Sequence, residues 1–193
     1  VNCHPEIQAL ASRIALYEDM KAYQRLFGLL APRLQRFAFS LVKSPEAAEE
    51  IVSDVFIKLW QIRGRLTAIT NLQVYLYTVT KNFSLDYLTS LQKHRVVQLD
   101  EIDVELSFAA GNPEELCISA DMVRKINASV RQLPPQCRLI FQLVKEGGLQ
   151  YKEVAEILQV SLFTVRNQVA IATRKIAEQL PASILDHRVN NRV

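Results

Sequence analysis

The sequence predicts an all-α protein: two small helical domains joined by an acidic linker, the second domain carrying a helix-turn-helix. Three observations predict it. Every long segment repeats its apolar residues at three- and four-residue steps, and none alternates with the two-residue period of a half-buried strand. Charge comes in blocks: residues 1–93 hold 11 Lys and Arg against 8 Asp and Glu, residues 94–118 hold 1 against 6, and residues 119–193 hold 11 against 6. Two mildly basic blocks around an acidic one suggest two nucleic-acid-facing units and a connection that avoids nucleic acid. Finally, residues 151–175 read as two short helices across a tight turn.

Taken in order, residues 6–42 make one or two helices, with Pro32 expected at the interruption between them or in a first turn. Ser44-Pro45-Glu46 is a restart: Ser caps and Pro takes the first helical position. The helix that follows, to about Ile62, buries Ala48, Ile51, Val52, Val55, Leu59 and Ile62. Its other side presents Glu46, Glu50, Ser53, Ile57 and Trp60, with Asp54 beside them. An apolar residue among acids on an outer face is what a docking surface offers. For Trp60 the expectation is cover by another helix of the same domain; for Ile57 both readings stand.

Arg63-Gly64-Arg65 breaks that helix, and a loop runs to Thr70-Asn71, either of which can cap the next one. That helix buries Leu72, Tyr75, Leu76, Val79, Phe83 and Tyr87. Asn82 and Asp86 fall on or beside this face, so Asp86 is expected to find a partner in Arg33 or Arg36, because an unpaired buried charge is costly. Lys81 is expected outside, among Tyr77, Leu85 and Leu88, where a cation with aromatics can meet single-stranded bases by stacking. A partly covered surface is equally consistent with that pattern. Residues 96–112 lack a sustained stripe and carry Asp100, Glu101, Asp103 and Glu105, which marks a solvated tether. Pro113 starts a helix to about Gln132, Leu133-Pro134-Pro135 separates it from the next, and Gly147-Gly148 ends that one. The chain therefore divides into a helical domain (1–95), a linker (96–112), a four-helix domain (113–180) and a polar, frayed tail (181–193).

The helix-turn-helix is the strongest local signal. Val154, Ala155, Ile157 and Leu158 give its first helix an apolar side, and Ser161 caps the second. Leu162, Val165, Val169, Ala172 and Ile176 form the second helix's stripe. Opposite stand Phe163, Asn167 and Arg174, flanked by Thr164, Arg166 and Lys175. Amide, hydroxyl and guanidinium groups can read base edges in the major groove, and the cations can hold phosphates. The turn carries Gln159 where Gly is usual, and a left-handed residue with a Cβ costs about 1–2 kcal/mol. A helical hairpin inside an ordinary bundle is the competing reading.

Composition excludes other classes. Hydrophobic content of 49% supports real cores, and no apolar run approaches the roughly 18 residues of a membrane span. No secretory signal pattern opens the chain. Cys3, Cys117 and Cys137 are odd in number and share no metal spacing, so reduced thiols in a cytoplasm are expected. There is no nucleophile with a base and no Gly-rich phosphate loop. No enzymatic activity, catalytic residue, metal or cofactor is expected.

With the parts in this order, the chain resembles bacterial sigma factors of the extracytoplasmic-function group, over about residues 13–180. The stretch from EDMKAYQRLF through SPEAAEEIVSDVFIKLW looks like the opening of their region 2. NLQVYLYTVTKNFSLDYL looks like the part that melts the promoter and reads the −10 element, and the run from LPPQCRLIFQ to ATRKI looks like region 4, which reads the −35 element. The resemblance implies a protein that binds core RNA polymerase, directs it to particular promoters and opens the DNA. It implies that Glu50, Ser53, Asp54 and Ile57 dock on the coiled coil of the polymerase's largest subunit. It implies that residues 63–71, including Arg63, Arg65 and Asn71, hold a base of the opened −10 element. Lys81 and Asn82, beside Tyr77, match the basic-Asn pair of the melting helix. Ser161, Phe163, Thr164, Arg166, Asn167, Gln168, Arg174 and Lys175 lie where the −35 element is read. The linker would thread a polymerase channel otherwise used by RNA, and an anti-sigma factor, often membrane-anchored, would hold the protein inactive; no small-molecule substrate is implied. The alternatives from other classes are a regulator that binds duplex DNA alone, with residues 1–93 for dimerisation or sensing, and a helical module that binds only protein.

Overall fold

A computed structural model describes residues 4–91 and 128–178, and among them every regular element is helical. Helix α1 spans His4–Tyr17 and α2 spans Met20–Val42. The break lies at Glu18-Asp19, not at Pro32. Glu18 takes a left-handed φ of 49°, and Asp19 caps α2 by accepting from the amides of Lys21 and Ala22. Pro32 sits inside α2 with its ring exposed. Its missing N–H orphans the carbonyl of Gly28, also on the exposed side, while Leu26, Leu30, Ala31 and Leu34 bury the opposite side. Packing of that face outweighs the local defect.

Helix α3 spans Pro45–Gln61, and Ser44 caps it with Pro45 in the first turn, as expected. Its buried residues include Ala48, Ile51, Val52, Val55 and Leu59, with Ile62 half-buried beyond its end. The expected loop after it is largely a 3-10 helix over Arg63–Ala68, pinned by the buried Leu66. Helix α4 spans Leu72–Leu91, and Asn71 caps it, its Oδ1 accepting from the Val74 amide at 3.1 Å. In the second part, α5 spans Pro135–Lys145, α6 spans Tyr151–Leu158 and α7 spans Leu162–Ala177. Gly148, at φ 67°, turns the chain after α5. The linker, the tail and residues 113–127 of the helix expected from Pro113 to about Gln132 lie outside the described residues; of the rest, residues 128–131 are helical and Gln132 is in a turn.

Helices α1 to α4 pack together and bury Leu26, Leu34, Phe37, Val55, Leu59 and Leu76. Helices α5 to α7 pack together and bury Cys137, Ile140, Val154, Ile157, Val165 and Ala172, and the apolar interior runs on from one group to the other. The two meet where α4 packs on α6 and the end of α2 touches α5. That seam changes the reading of α4. Tyr77 and Lys81, expected outside, are 1% and 7% exposed. Asp86, expected to need Arg33 or Arg36, is exposed and needs neither; Arg36 reaches Glu146 of the second domain instead, at 3.8 Å. Periodicity within α4 reports its own domain's core, and the second domain covers the side left over.

Candidate nucleic-acid interface

The second domain holds α7, the expected recognition helix, through capped ends and a buried stripe. Gln150 and Glu153 close a capping box at the start of α6, the Gln150 amide donating to Glu153 Oε2 at 2.7 Å. Gln159 ends α6 in the left-handed conformation, φ 56° and ψ 41°, and the Val160 amide returns to the Ala155 carbonyl at 3.0 Å. Ser161 Oγ then accepts from the Thr164 amide at 2.9 Å, which starts α7. Val165, Val169, Ala172 and Ile176 fix α7 to the core, while Leu162, expected in the same stripe, is exposed at the helix entry.

What α7 turns outward is the expected set. Phe163 is 78% exposed, and Arg166, Asn167 and Arg174 are exposed with it. Thr164, Gln168 and Lys175 are half-buried at its edges. Gln168 also holds the helix in place, because its carbonyl accepts from the Cys137 thiol at 3.2 Å. Burial pushes that thiol's pKa up, with Lys175 nearby acting the other way. Arg174 faces Glu178 at 3.8 Å, an exposed pair of little strength that leaves the guanidinium available.

On the first domain, Glu50, Ser53, Asp54 and Ile57 share the exposed side of α3, with Ile57 54% exposed among the polar groups. Behind them lies an aromatic cluster that sequence reasoning did not assemble. Tyr23 packs edge-on to Trp60 at 5.2 Å, Phe27 meets Phe56 at 4.7 Å, and the Arg63 guanidinium lies 5.0 Å over the Trp60 ring. Trp60 is thus half-buried within its own domain, as expected. The missed signal was spacing: Tyr23 and Phe27 stand four apart on α2, as do Phe56 and Trp60 on α3.

The residues implied in −10 reading and melting are not brought together on one open face. Arg63 Nε donates to Glu18 at 3.0 Å, and Arg65 and Asn82 are exposed. Asn71 Nδ2 donates to Glu153 of α6 at 2.7 Å. Lys81 Nζ donates to the carbonyl of Ile157 at 2.8 Å, and this burial lowers its pKa. Gln73, which sequence reasoning passed over, is buried and donates to the Gly147 carbonyl at 3.1 Å. Among the described residues there is no cluster of His, Cys, Asp and Glu suited to a metal, and no helix long and apolar enough to cross a membrane.

Comparison with known proteins follows this division. Residues 26–94 match the sigma-70 region 2 model, and residues 124–176 match a sigma-70 region 4 model. The chain is 26% identical over 180 residues to the ECF RNA polymerase sigma-E factor of Escherichia coli (strain K12), covering 88% of this chain and 94% of the relative. The same protein of Salmonella typhimurium (strain LT2) matches at the same identity and coverage. Among solved structures, CnrH in complex with the cytosolic domain of CnrY is similar at a TM-score of 0.54 and 16% identity, over 94% of this chain and 98% of that one. The sigma factor RpoE in complex with the anti-sigma factor NepR from Bartonella quintana is similar at 0.54 and 20%, over 82% and 96%. At those identities the structures share the fold.

Proposed function

The chain belongs to the ECF-type sigma factors, carries sigma-70 region 2 and region 4 domains, and directs RNA polymerase to promoters; from that premise we propose how its surfaces divide the work. The exposed side of α3, with Ile57 ringed by Glu50, Ser53 and Asp54, docks core polymerase. The apolar centre supplies affinity and the charges fix orientation. The outer face of α7 reads the −35 duplex, through Phe163, Arg166 and Asn167 towards bases and Arg174 and Lys175 towards phosphates, with Ser161, Thr164 and Gln168 at its margins. Arg63, Arg65, Asn71, Tyr77, Lys81 and Asn82 serve the −10 element and its melting. Residues 1–95 form the docking and melting domain, 96–112 the tether, 113–180 the −35 domain and 181–193 the tail.

The observation that carries this reading is Ile57: its helix folds with Ala48, Val52, Val55 and Leu59 buried, and Ile57 takes no part in that packing. Burying one such side chain at an interface contributes about 1.5–3 kcal/mol, and an Asp there buries an unpaired charge instead. Ile57→Asp is expected to keep its far-ultraviolet circular dichroism and melting temperature, lose binding to core polymerase, and lose promoter-directed transcription. A folded variant that binds core normally would move docking to another face. Titration against core polymerase separates this reading from a stand-alone regulator: this chain is expected to bind core tightly and free duplex poorly, and a regulator would do the reverse.

Two solved relatives are complexes, one with the cytosolic domain of CnrY and one with the anti-sigma factor NepR. We extend this to an anti-sigma partner for this chain, acting in the cytoplasm where the polymerase is.

A further inference from the structure

The element assigned to the −10 base is shaped from outside itself. Arg63–Ala68 runs as a 3-10 helix of six residues, and such runs seldom exceed three or four because their hydrogen bonds are poorly aligned. Both of its ends are tied to the α1 segment. At the start, Arg63 Nε donates to Glu18 Oε1 at 3.0 Å, with Nη2 2.9 Å from the same oxygen. At the finish, the Ile69 carbonyl accepts from Gln8 Nε2 at 3.3 Å. Between the ties Leu66 is fully buried, and the 3-10 helix packs on α1.

We propose that α1 and the turn that ends it set −10 specificity. Gln8 and Glu18 are positioning residues for the 3-10 helix, Glu18 acts through Arg63, and Arg65 is the side chain they aim at the −10 base; this rests on the assignment of residues 63–71 to that element. Both positioning residues precede residue 26, where the region 2 match begins.

The telling residue is Glu18. It ends α1 in the left-handed conformation, φ 49°, which favours Gly or Asn over a residue such as Glu. A residue held in a costly conformation points to work done by its side chain. Here that side chain reaches a partner 45 positions away in sequence. The turn that aims it is itself fixed: Asp19 caps α2 and accepts from Arg13 Nη2 at 2.6 Å.

An exposed ion pair alone would hold little, but Arg63 is held from two further sides. Its Nη1 donates to the Trp60 carbonyl at 3.2 Å, and the guanidinium lies over the Trp60 ring. Trp60 is seated in turn on Tyr23, whose hydroxyl donates to the Phe56 carbonyl at 3.0 Å. All three guanidinium nitrogens of Arg63 therefore face protein oxygens, and a carboxylate balances the charge. Arg63 is occupied as a strut. Arg65 differs: it is exposed, and its amide on the Ile62 carbonyl at 2.8 Å fixes where the side chain leaves the backbone.

Transcription by core polymerase with the full chain, from a library randomised at −10 behind a fixed −35, tests this. Glu18→Asn suits the left-handed turn but is too short to reach Arg63. Gln8→Leu keeps the size and removes the donor. Each is expected to keep its circular dichroism, melting temperature, core affinity and −35 preference. Each should flatten preference at a −10 position about fivefold or more. Arg63→Gln should match Glu18→Asn, and the double variant should lose no more than either single one, because the two act as a unit. Arg65→Ala should lose the same preference directly. Should either α1 variant fail to fold, the other and the Arg63→Gln comparison decide.

Folded α1 variants with unchanged −10 preference, beside an Arg65→Ala that changes it, overturn the positioning role and leave the −10 assignment standing. Unchanged −10 preference in all four single variants puts the −10 element elsewhere, and the proposal falls with its premise. Equal losses in −35 preference or core affinity overturn it too, since aim would then not be what changed. An Arg63→Gln that loses more than Glu18→Asn and lowers the salt slope by about one unit makes Arg63 a DNA contact instead of a strut.

Discussion

Asn167 and Arg174 lie seven residues apart on α7, about 10 Å along the axis. Asn167 stands near the entry, where a recognition helix meets base edges; Arg174 stands in the last turn, where the backbone passes. Asn167→Ala is expected to relax preference at one or two −35 positions, each lost contact costing about 1–3 kcal/mol. Arg174→Ala should weaken use of all −35 variants about equally and lower the salt slope by about one unit. Promoter libraries transcribed at several salt concentrations separate the two; identical shifts in preference would refute the division. Glu146 offers a different residue-scale test. Burial raises its pKa above the usual 4.5, against the opposing hydrogen bond from Gln142 and the charge of Arg36. The folded state thus holds this proton more tightly than the unfolded chain. Its contribution to stability is full below about pH 4.5 and is lost as pH rises through the raised value. Asp19 acts oppositely and lower: amide hydrogen bonds from α2 and the Arg13 guanidinium depress its pKa, so its stabilisation is lost only as pH falls below the usual 3.8. Chemical denaturation across this range should show Glu146→Gln more stable than wild type at neutral pH, with the difference closing as pH falls below about 4.5. A variant less stable at neutral pH would mean that the Arg36 pair outweighs burial.

At the scale of elements, caps were the most legible part of the chain. Ser44, Asn71 and Ser161 were each recognisable because a short polar side chain precedes an apolar stripe, and each accepts the amide expected of it. The unusual turn was legible too: Gln159 adopts the left-handed conformation that the helix-turn-helix demands of it. Strain from a Cβ there is about 1–2 kcal/mol. Gln159→Gly relieves it but loosens the unfolded chain by about 0.4–1 kcal/mol, so a net gain between about 0 and 1.6 kcal/mol is expected. Urea denaturation reads the gain, and −35 preference should not change, because Gln159 lies outside the reading face of α7. Loss of stability would show that Gln159 makes a compensating contact. Two elements were illegible for opposite reasons. Pro32 signals a break that α2 overrides, because its unsatisfied carbonyl faces outward and four buried residues hold the other side. The break at Glu18-Asp19 carries no Gly or Pro, and only Asp19's capping geometry reveals it.

Across the whole molecule, the charge blocks and the order of motifs were enough to read two domains and their family, but not how the domains meet. Gln73, Thr80, Lys81 and Ser84 are polar yet buried on α4, and helical periodicity assigns such residues to solvent. A seam between domains made partly of polar groups leaves no apolar stripe to find. Its strength can be bounded from what the protein must do. The tether supplies an effective concentration of about millimolar, so a seam with a dissociation constant of tens of micromolar would keep the intact chain at least about tenfold closed. The same seam would yield to polymerase and DNA, and would not hold separated domains together at about 1 μM. Cutting the linker is therefore expected to open the molecule without unfolding it. A protease site inserted between Gly111 and Asn112 allows this in the full chain. After cleavage at about 1 μM the two helical fragments should elute separately, with the Lys81 amine acetylated by N-hydroxysuccinimidyl acetate as fast as that of the exposed Lys21, while in the uncut protein the buried Lys81 remains protected. At about millimolar fragment concentration the protection should return. Fragments that stay associated at about 1 μM would mean a seam too strong to be opened by the tether's loss alone, and parting the domains would then require energy from polymerase binding.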